Sequence, residues 1–100
     1  MVFVTAPGLR VARQLAGAAL RAKAAACVNL VSGIESHYVW GGKATRSKEV
    51  LLLIKTTRRR LTALRNVVAR VHPYEVPEFI ALSIKSGSKA YLDWIDASVK

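Results

Sequence analysis

Cysteine is nearly absent. Cys27 is the one thiol in 100 residues, so no internal disulfide can staple the fold, and both a secreted disulfide scaffold and a four-cysteine zinc site are excluded. Acids are scarce as well, with 6 Asp plus Glu against 16 Lys plus Arg and a formal net charge of +10. That field favours polyanions, acidic partners or an anionic surface and says nothing about fold. Long apolar runs are missing: the most apolar window, Val11 to Val31, is broken by Arg13, Arg21 and Lys23, well short of the roughly 18 residues of a membrane span. The start, Met1-Val2-Phe3-Val4, lacks the basic region and apolar core of a signal peptide. The expectation is a soluble, cytoplasmic chain that is not transmembrane. Glycine-rich phosphate loops and metalloprotease motifs are absent too. A nucleophile beside a base would have to be Cys27 with His72, both in segments that read as structural, so no catalytic residue is nominated and no enzymatic activity is expected.

What is present is a core. Apolar residues make up 52% of the chain and charged residues 22%, which excludes disorder. The length suits one domain spanning residues 1–100. Residues 2–5 read as a short strand ended by Ala6-Pro7-Gly8, with Pro7 placed to open a helix. Leu9, Ala12, Leu15, Ala16, Ala19 and Leu20 then recur at helical spacing. Residues 27–40 read as a long extended segment with Ile34, Ser36, Tyr38 and Trp40 on one face, and Gly41-Gly42 as a two-residue hairpin turn. The return strand starts near Lys43 and ends with Glu49 to Thr56, whose continuous apolar run implies burial on both faces, as for a central strand. Thr57 is placed to cap a second helix bearing Leu61, Leu64, Val68 and Val71, stopped by His72-Pro73. Val76 to Ile84 reads as a further strand, and Gly87-Ser88 as the lead into a short amphipathic helix carrying Tyr91, Leu92, Trp94, Ile95 and Val99.

This order predicts an α+β fold, the ferredoxin-like βαββαβ sandwich with a long β-hairpin and a short C-terminal helix. One length is at odds with a monomer. Residues 43–56 at about 3.3 Å each span roughly 45 Å, whereas a domain of this size has a radius of gyration of about 13 Å. The hairpin must bend or project, and projecting ribbons with open edges are rare in isolation; a homo-oligomer closed by the hairpin is the expected answer.

Several blocks resemble the CutA family: Val4-Thr5-x-Pro7, Ala25-Ala26-Cys27-Val28-Asn29, Tyr38-x-Trp40-x-Gly42-Lys43, Ile54-Lys55-Thr56, His72-Pro73-Tyr74-Glu75-Val76-Pro77-Glu78 with Ile80-Ala81-Leu82, and Tyr91-Leu92-x-Trp94. The resemblance covers essentially the whole chain. It implies a ferredoxin-like subunit in a tight homotrimer, similar in architecture to PII signalling proteins and associated with tolerance to divalent metals, copper especially. The chain departs from the family pattern at Ala44-Thr45-Arg46-Ser47-Lys48, basic where acids are usual, and in the run Arg58-Arg59-Arg60.

Four residues are candidate ligands for copper or another divalent ion: Cys27, His72 and Glu75, with Glu78 as helper, because thiolate and imidazole suit copper or zinc. Against this stand a buried, inert thiol in an alanine-rich run and a histidine that serves a helix end. Tyr38, Trp40, Tyr91 and Trp94 are candidates for an inter-subunit cleft in which Lys55 meets a small anion; the alternative is plain interface packing. Arg58, Arg59 and Arg60 form a candidate anion patch at a helix N-terminus, or else a solvated basic face. The inner strands lack the stacking aromatics of RNA-recognition domains, so no specific nucleic acid is expected.

Overall fold

Val2, Val4 and Ala6 alternate with Phe3 and Thr5 along the first strand, β1 (Val2–Ala6), and the first three are fully buried. The computed structural model describes all residues from Met1 to Lys100. After β1 come α1 (Leu9–Arg21), β2 (Cys27–Trp40), β3 (Lys43–Lys55), a 3-10 turn (Arg58–Arg60), α2 (Leu61–Val71), β4 (Ile80–Ala81) and α3 (Lys89–Ser98). The four strands form one antiparallel sheet in the order β2-β3-β1-β4, which is the ferredoxin-like arrangement.

Alternation sorts the sheet into two faces. Val2, Val4, Ala6, Val50, Leu52 and Ile54 pack against Ala12, Leu15 and Ala19 of α1 and Leu64, Val67 and Val68 of α2. The small residues of α1 let that helix lie close on the strands. The other face carries Phe3, Leu51 and Leu53, which are only partly buried, and Val31, which is exposed. The run Val50 to Ile54 is therefore central, as its pattern predicts, but the expected burial on both faces is corrected: Leu51 and Leu53 are only partly buried in the single chain.

The hairpin forms as expected. Gly41 and Gly42 both take positive φ, 58° and 78°, the conformation a type I′ turn demands. The molecule measures 44 × 26 × 21 Å, so the ribbon does project. A feature the sequence pattern hides is a β-bulge between Val31 and Ile34, with Gly33 at φ 80°. One extra residue reverses the alternation. Ile34, Ser36, Tyr38 and Trp40 consequently stand on the open face, continuing Val31, rather than on the helical side with Val28 and Leu30. Gly33→Ala forces a side chain into left-handed φ and is expected to cost about 1–2 kcal/mol, read as a melting midpoint lower by several degrees; an unchanged midpoint would remove the bulge from the account.

Three further expectations need correction. The strand read over Val76 to Ile84 shrinks to Ile80–Ala81. Pro77 lacks the N–H a longer ladder needs, while past Leu82, which exchanges backbone bonds with Met1, the segment runs beyond the start of β1. Thr57 does not cap the second helix by its side chain: a 3-10 turn intervenes, and its hydroxyl is buried without a partner. Pro7 lies before the first helix, whose N-cap is Gly8. The C-terminal helix stands as read, with Ser88 accepting the Tyr91 N–H as its cap and Ile95 and Val99 buried.

Candidate functional site

Two residues past the last position where β1 pairs with β4, a side chain takes over from the strand. The His72 ring Nε2 lies 2.7 Å from the Thr5 carbonyl, and Nδ1 accepts the Tyr74 N–H at 3.2 Å. With Nδ1 an acceptor, Nε2 carries the proton and donates to Thr5. His72 is only 7% exposed. It pins residues 72–78 across the end of the sheet, and Tyr74, tilted against the imidazole with ring centres 4.6 Å apart, reaches the open face. There its hydroxyl donates to Glu49 Oε2 at 2.8 Å.

Around this bond opens a groove of about 850 Å³. Its walls are the distal hairpin, with Tyr38 and Trp40, and the segment Pro73 to Glu78; Glu49 sits at the base and His37 at the rim. Tyr38 is held by a 2.8 Å hydrogen bond with Ser47. Half of the chain's six carboxylates, Glu49, Glu75 and Glu78, line the groove, and no lysine or arginine does. In a chain of net charge +10, that makes it a strongly acidic hollow.

Burial, together with the charge of Glu49, raises Glu78 above the ordinary carboxylate range. Tyr74 is pushed up to about 12, first by burial and then by its bond to Glu49 and the charges of Glu49 and Tyr38. A group raised in this way holds its proton more tightly folded than unfolded. The stability Tyr74 contributes is therefore complete below its ordinary value of 10 and is lost as pH climbs through about 12. Absorbance titration of the phenolates is expected to show a step near 12 that Tyr74→Phe abolishes; a wild-type titration finished well before that step would contradict it.

The predicted ligands do not come together in one protomer. Cys27 pairs with Lys55 at the far end of β3 from Glu49, six positions away and so roughly 20 Å off at about 3.3 Å per residue. No three His, Cys, Asp or Glu side chains converge on a single point, and both ring nitrogens of His72 are already engaged. Glu75 and Glu78 are brought to the groove; Cys27 and His72 are not available there as ligands. Glu49, which the sequence shows as the opening of an apolar strand, joins them instead. Its signal was a single carboxylate between Lys48 and Val50, facing the same side as Tyr38 only because of the bulge.

The predicted cleft is split as well. Tyr38 and Trp40 belong to the groove, while Lys55, Tyr91 and Trp94 cluster with Cys27. The Lys55 Nζ is 4.0 Å from the thiol and the Asn29 Oδ1 3.8 Å from it. Tyr91 packs tilted on Trp94 at 5.5 Å. Partial burial and the neighbouring Cys27 hold the Tyr91 hydroxyl above its usual range.

The arginine run does not form one anion patch. Arg60 donates to the Ala22 and Lys23 carbonyls at 2.9 and 3.0 Å, closing the C-terminal end of α1. Arg59 lies 3.7 Å from Asp96, and Arg58 lines a separate hollow with Thr56, Thr57 and Leu82.

Comparison with known proteins bears on this arrangement. The family model described as CutA1 divalent ion tolerance protein matches residues 1–98. The chain is 47% identical over 100 residues to "Protein CutA 1, chloroplastic" of Oryza sativa, covering all of this chain and 56% of that protein. It is 44% identical over 95 residues to the divalent-cation tolerance protein CutA of Thermus thermophilus, covering 95% of this chain and 92% of that one. The solved structure of the Thermus thermophilus protein superposes with a TM-score of 0.95 at 43% identity, over 97% of this chain and 94% of that one. The chain thus spans about half the length of its plant and mammalian relatives and nearly all of the Thermus protein.

Proposed function

The chain belongs to the CutA1 divalent ion tolerance family, and from that premise we propose that it is a homotrimer that holds a divalent cation in the Glu49–Glu75–Glu78 groove without catalysing a reaction. The observation that carries this reading is the groove's composition: three carboxylates and no fixed cation in a chain whose net charge is +10. A divalent ion there relieves the repulsion between Glu49 and Glu78. Glu75 is exposed and free to turn inward, and Tyr74 keeps the Glu49 carboxylate in place. Copper(II) is the first ion to test, because it heads the divalent series at almost any nitrogen and oxygen site. The cytoplasm is the compartment proposed, and no helix of the chain is long and apolar enough to cross a membrane.

Assembly is proposed on the open face. On that face Phe3, Leu51 and Leu53 are only partly buried and Val31 is exposed, the hairpin tip exposes Val39 at 72% and Trp40 at 58%, and β4 leaves a nearly bare strand edge. Proteins seldom leave such edges unpaired.

Calorimetric titration with copper(II) is expected to give one saturable site per chain. Glu49→Gln and Glu78→Gln together should weaken it by at least about tenfold, roughly 1.4 kcal/mol, whereas Cys27→Ser leaves it unchanged. Equal affinity in the wild type and the double variant would overturn the groove as the site. A second reading rests on the Lys55–Cys27–Tyr91–Trp94 cluster, which offers a cation beside exposed aromatics to a small anion, in the manner of a PII-like sensor. It predicts that Lys55→Gln abolishes anion binding and leaves copper binding intact.

A further inference from the structure

The charge of this chain is not spread evenly. Residues 1–34 and 50–74 contain ten of the sixteen Lys and Arg and none of the six acids, so these two segments hold the whole net charge of +10 and the remainder is neutral. Half of that charge is projected by the helical layer. Ala12, Leu15 and Ala19 of α1 and Leu64, Val67 and Val68 of α2 are buried against the sheet, so the opposite stripes face solvent. On α1 the stripe is Arg10, Arg13 and Arg21 around Gln14; on α2 it is Arg65 and Arg70 around Asn66, all exposed. Arg59 and Arg60 are engaged elsewhere, as described above. Arg65 stacks on Phe79 at 5.6 Å, which fixes its direction.

We propose that the outer face of α1 and α2 is a docking surface for the phosphate backbone of a nucleic acid duplex, bound without reading its sequence. Five arginines on an acid-free face match a polyanion in charge, and arginine in place of lysine matches phosphate in geometry, two N–H donors to two oxygens. The duplex is favoured over a single strand because stacking needs aromatics, and the exposed ones, Tyr38, Trp40, Tyr74, Tyr91 and Trp94, all lie outside this layer. It is favoured over a lipid surface because interfacial helices bury a broad apolar face, while the exposed large apolar residues of these helices are Leu9 and Leu20 alone. The surface is on the opposite side of the sheet from the open face and does not depend on the cation reading.

Anisotropy of a labelled mixed-sequence DNA duplex of about 24 base pairs, titrated with the full chain, tests it. Each phosphate neutralised adds about −0.9 to the slope of log K against log salt. Five arginines then give a slope near −4.5, a loss of about 500-fold between about 50 and 200 mM salt. Arg10→Gln, Arg13→Gln and Arg70→Gln combined are expected to flatten it to about −1.8. Lys43→Gln, Arg46→Gln and Lys48→Gln remove the same charge from the hairpin and should leave it unchanged. Circular dichroism verifies the fold of each; if the helix triple does not fold, the pair Arg21→Gln and Arg65→Gln serves, with a slope near −2.7. Equal effects of helix and hairpin variants, a wild-type slope shallower than about −2, or tighter binding to phosphatidylserine vesicles than to the duplex at the same salt would each overturn the proposal.

Discussion

His72→Ala is expected to cost about 2–4 kcal/mol of folding stability, from a cavity in a buried site plus two lost hydrogen bonds. The loss is not that of a helix-end residue. The imidazole is 7% exposed and satisfies groups in two segments, the Thr5 carbonyl and the Tyr74 N–H. Without it, both lose their partner where water has little access, and Tyr74 is no longer aimed at Glu49. His72→Gln discriminates between cavity and hydrogen bond: its amide nitrogen can still donate to Thr5, so part of the loss should return. Urea unfolding of the three proteins measures it. A His72→Ala variant within about 0.5 kcal/mol of wild type, the ordinary scatter of surface substitutions, would show that residues 72–78 are anchored by something else.

Leu53→Glu is expected to dissolve the assembly. Leu53 lies on the open face between Phe3 and Asn29 in the sheet register, and a carboxylate there would be desolvated in the interface, where Lys55, two residues along the strand on the same face, is already turned to Cys27. Taking such a charge out of water costs several kcal/mol, repeated at every copy, so the species seen by light scattering should fall from about three times 10.9 kDa to a single chain. Leu53→Met, of similar volume, keeps the assembly. The helical core lies on the other face and should survive, so the Glu variant remains folded by circular dichroism. Wild-type protein that scatters as a monomer at micromolar concentration would remove the premise.

Much of the fold was legible because its signals are local. The period of α1, the pair Gly41-Gly42 and the apolar run Val50 to Ile54 each act within a few residues, and each stands where it was read. β4 was not legible in its extent, because length there is set by partners: β1 offers only five residues, and Pro77 withholds a donor. The bulge was not legible either. Gly33 looks like any strand glycine, yet its positive φ decides which face Tyr38 and Trp40 occupy. The candidate site suffered most from this. Cys27 and His72 are chemically apt ligands by type, but type does not give position. Sheet register puts Cys27 beside Lys55, and the gap left by the short β4 claims His72 for structure. Glu49, unremarked in a strand, becomes the floor of the groove only when a bulge and a tyrosine from 25 residues away meet over it.

Native mass spectrometry of the chain titrated with copper(II) tests the cation reading and the assembly together. The expected result is a species of three copies that takes up one copper per chain and stops, and a Glu49→Gln, Glu78→Gln variant that keeps three copies and loads markedly less at the same copper concentration. A variant that loads as fully as the wild type, or loading that disappears with Cys27→Ser instead, would contradict it.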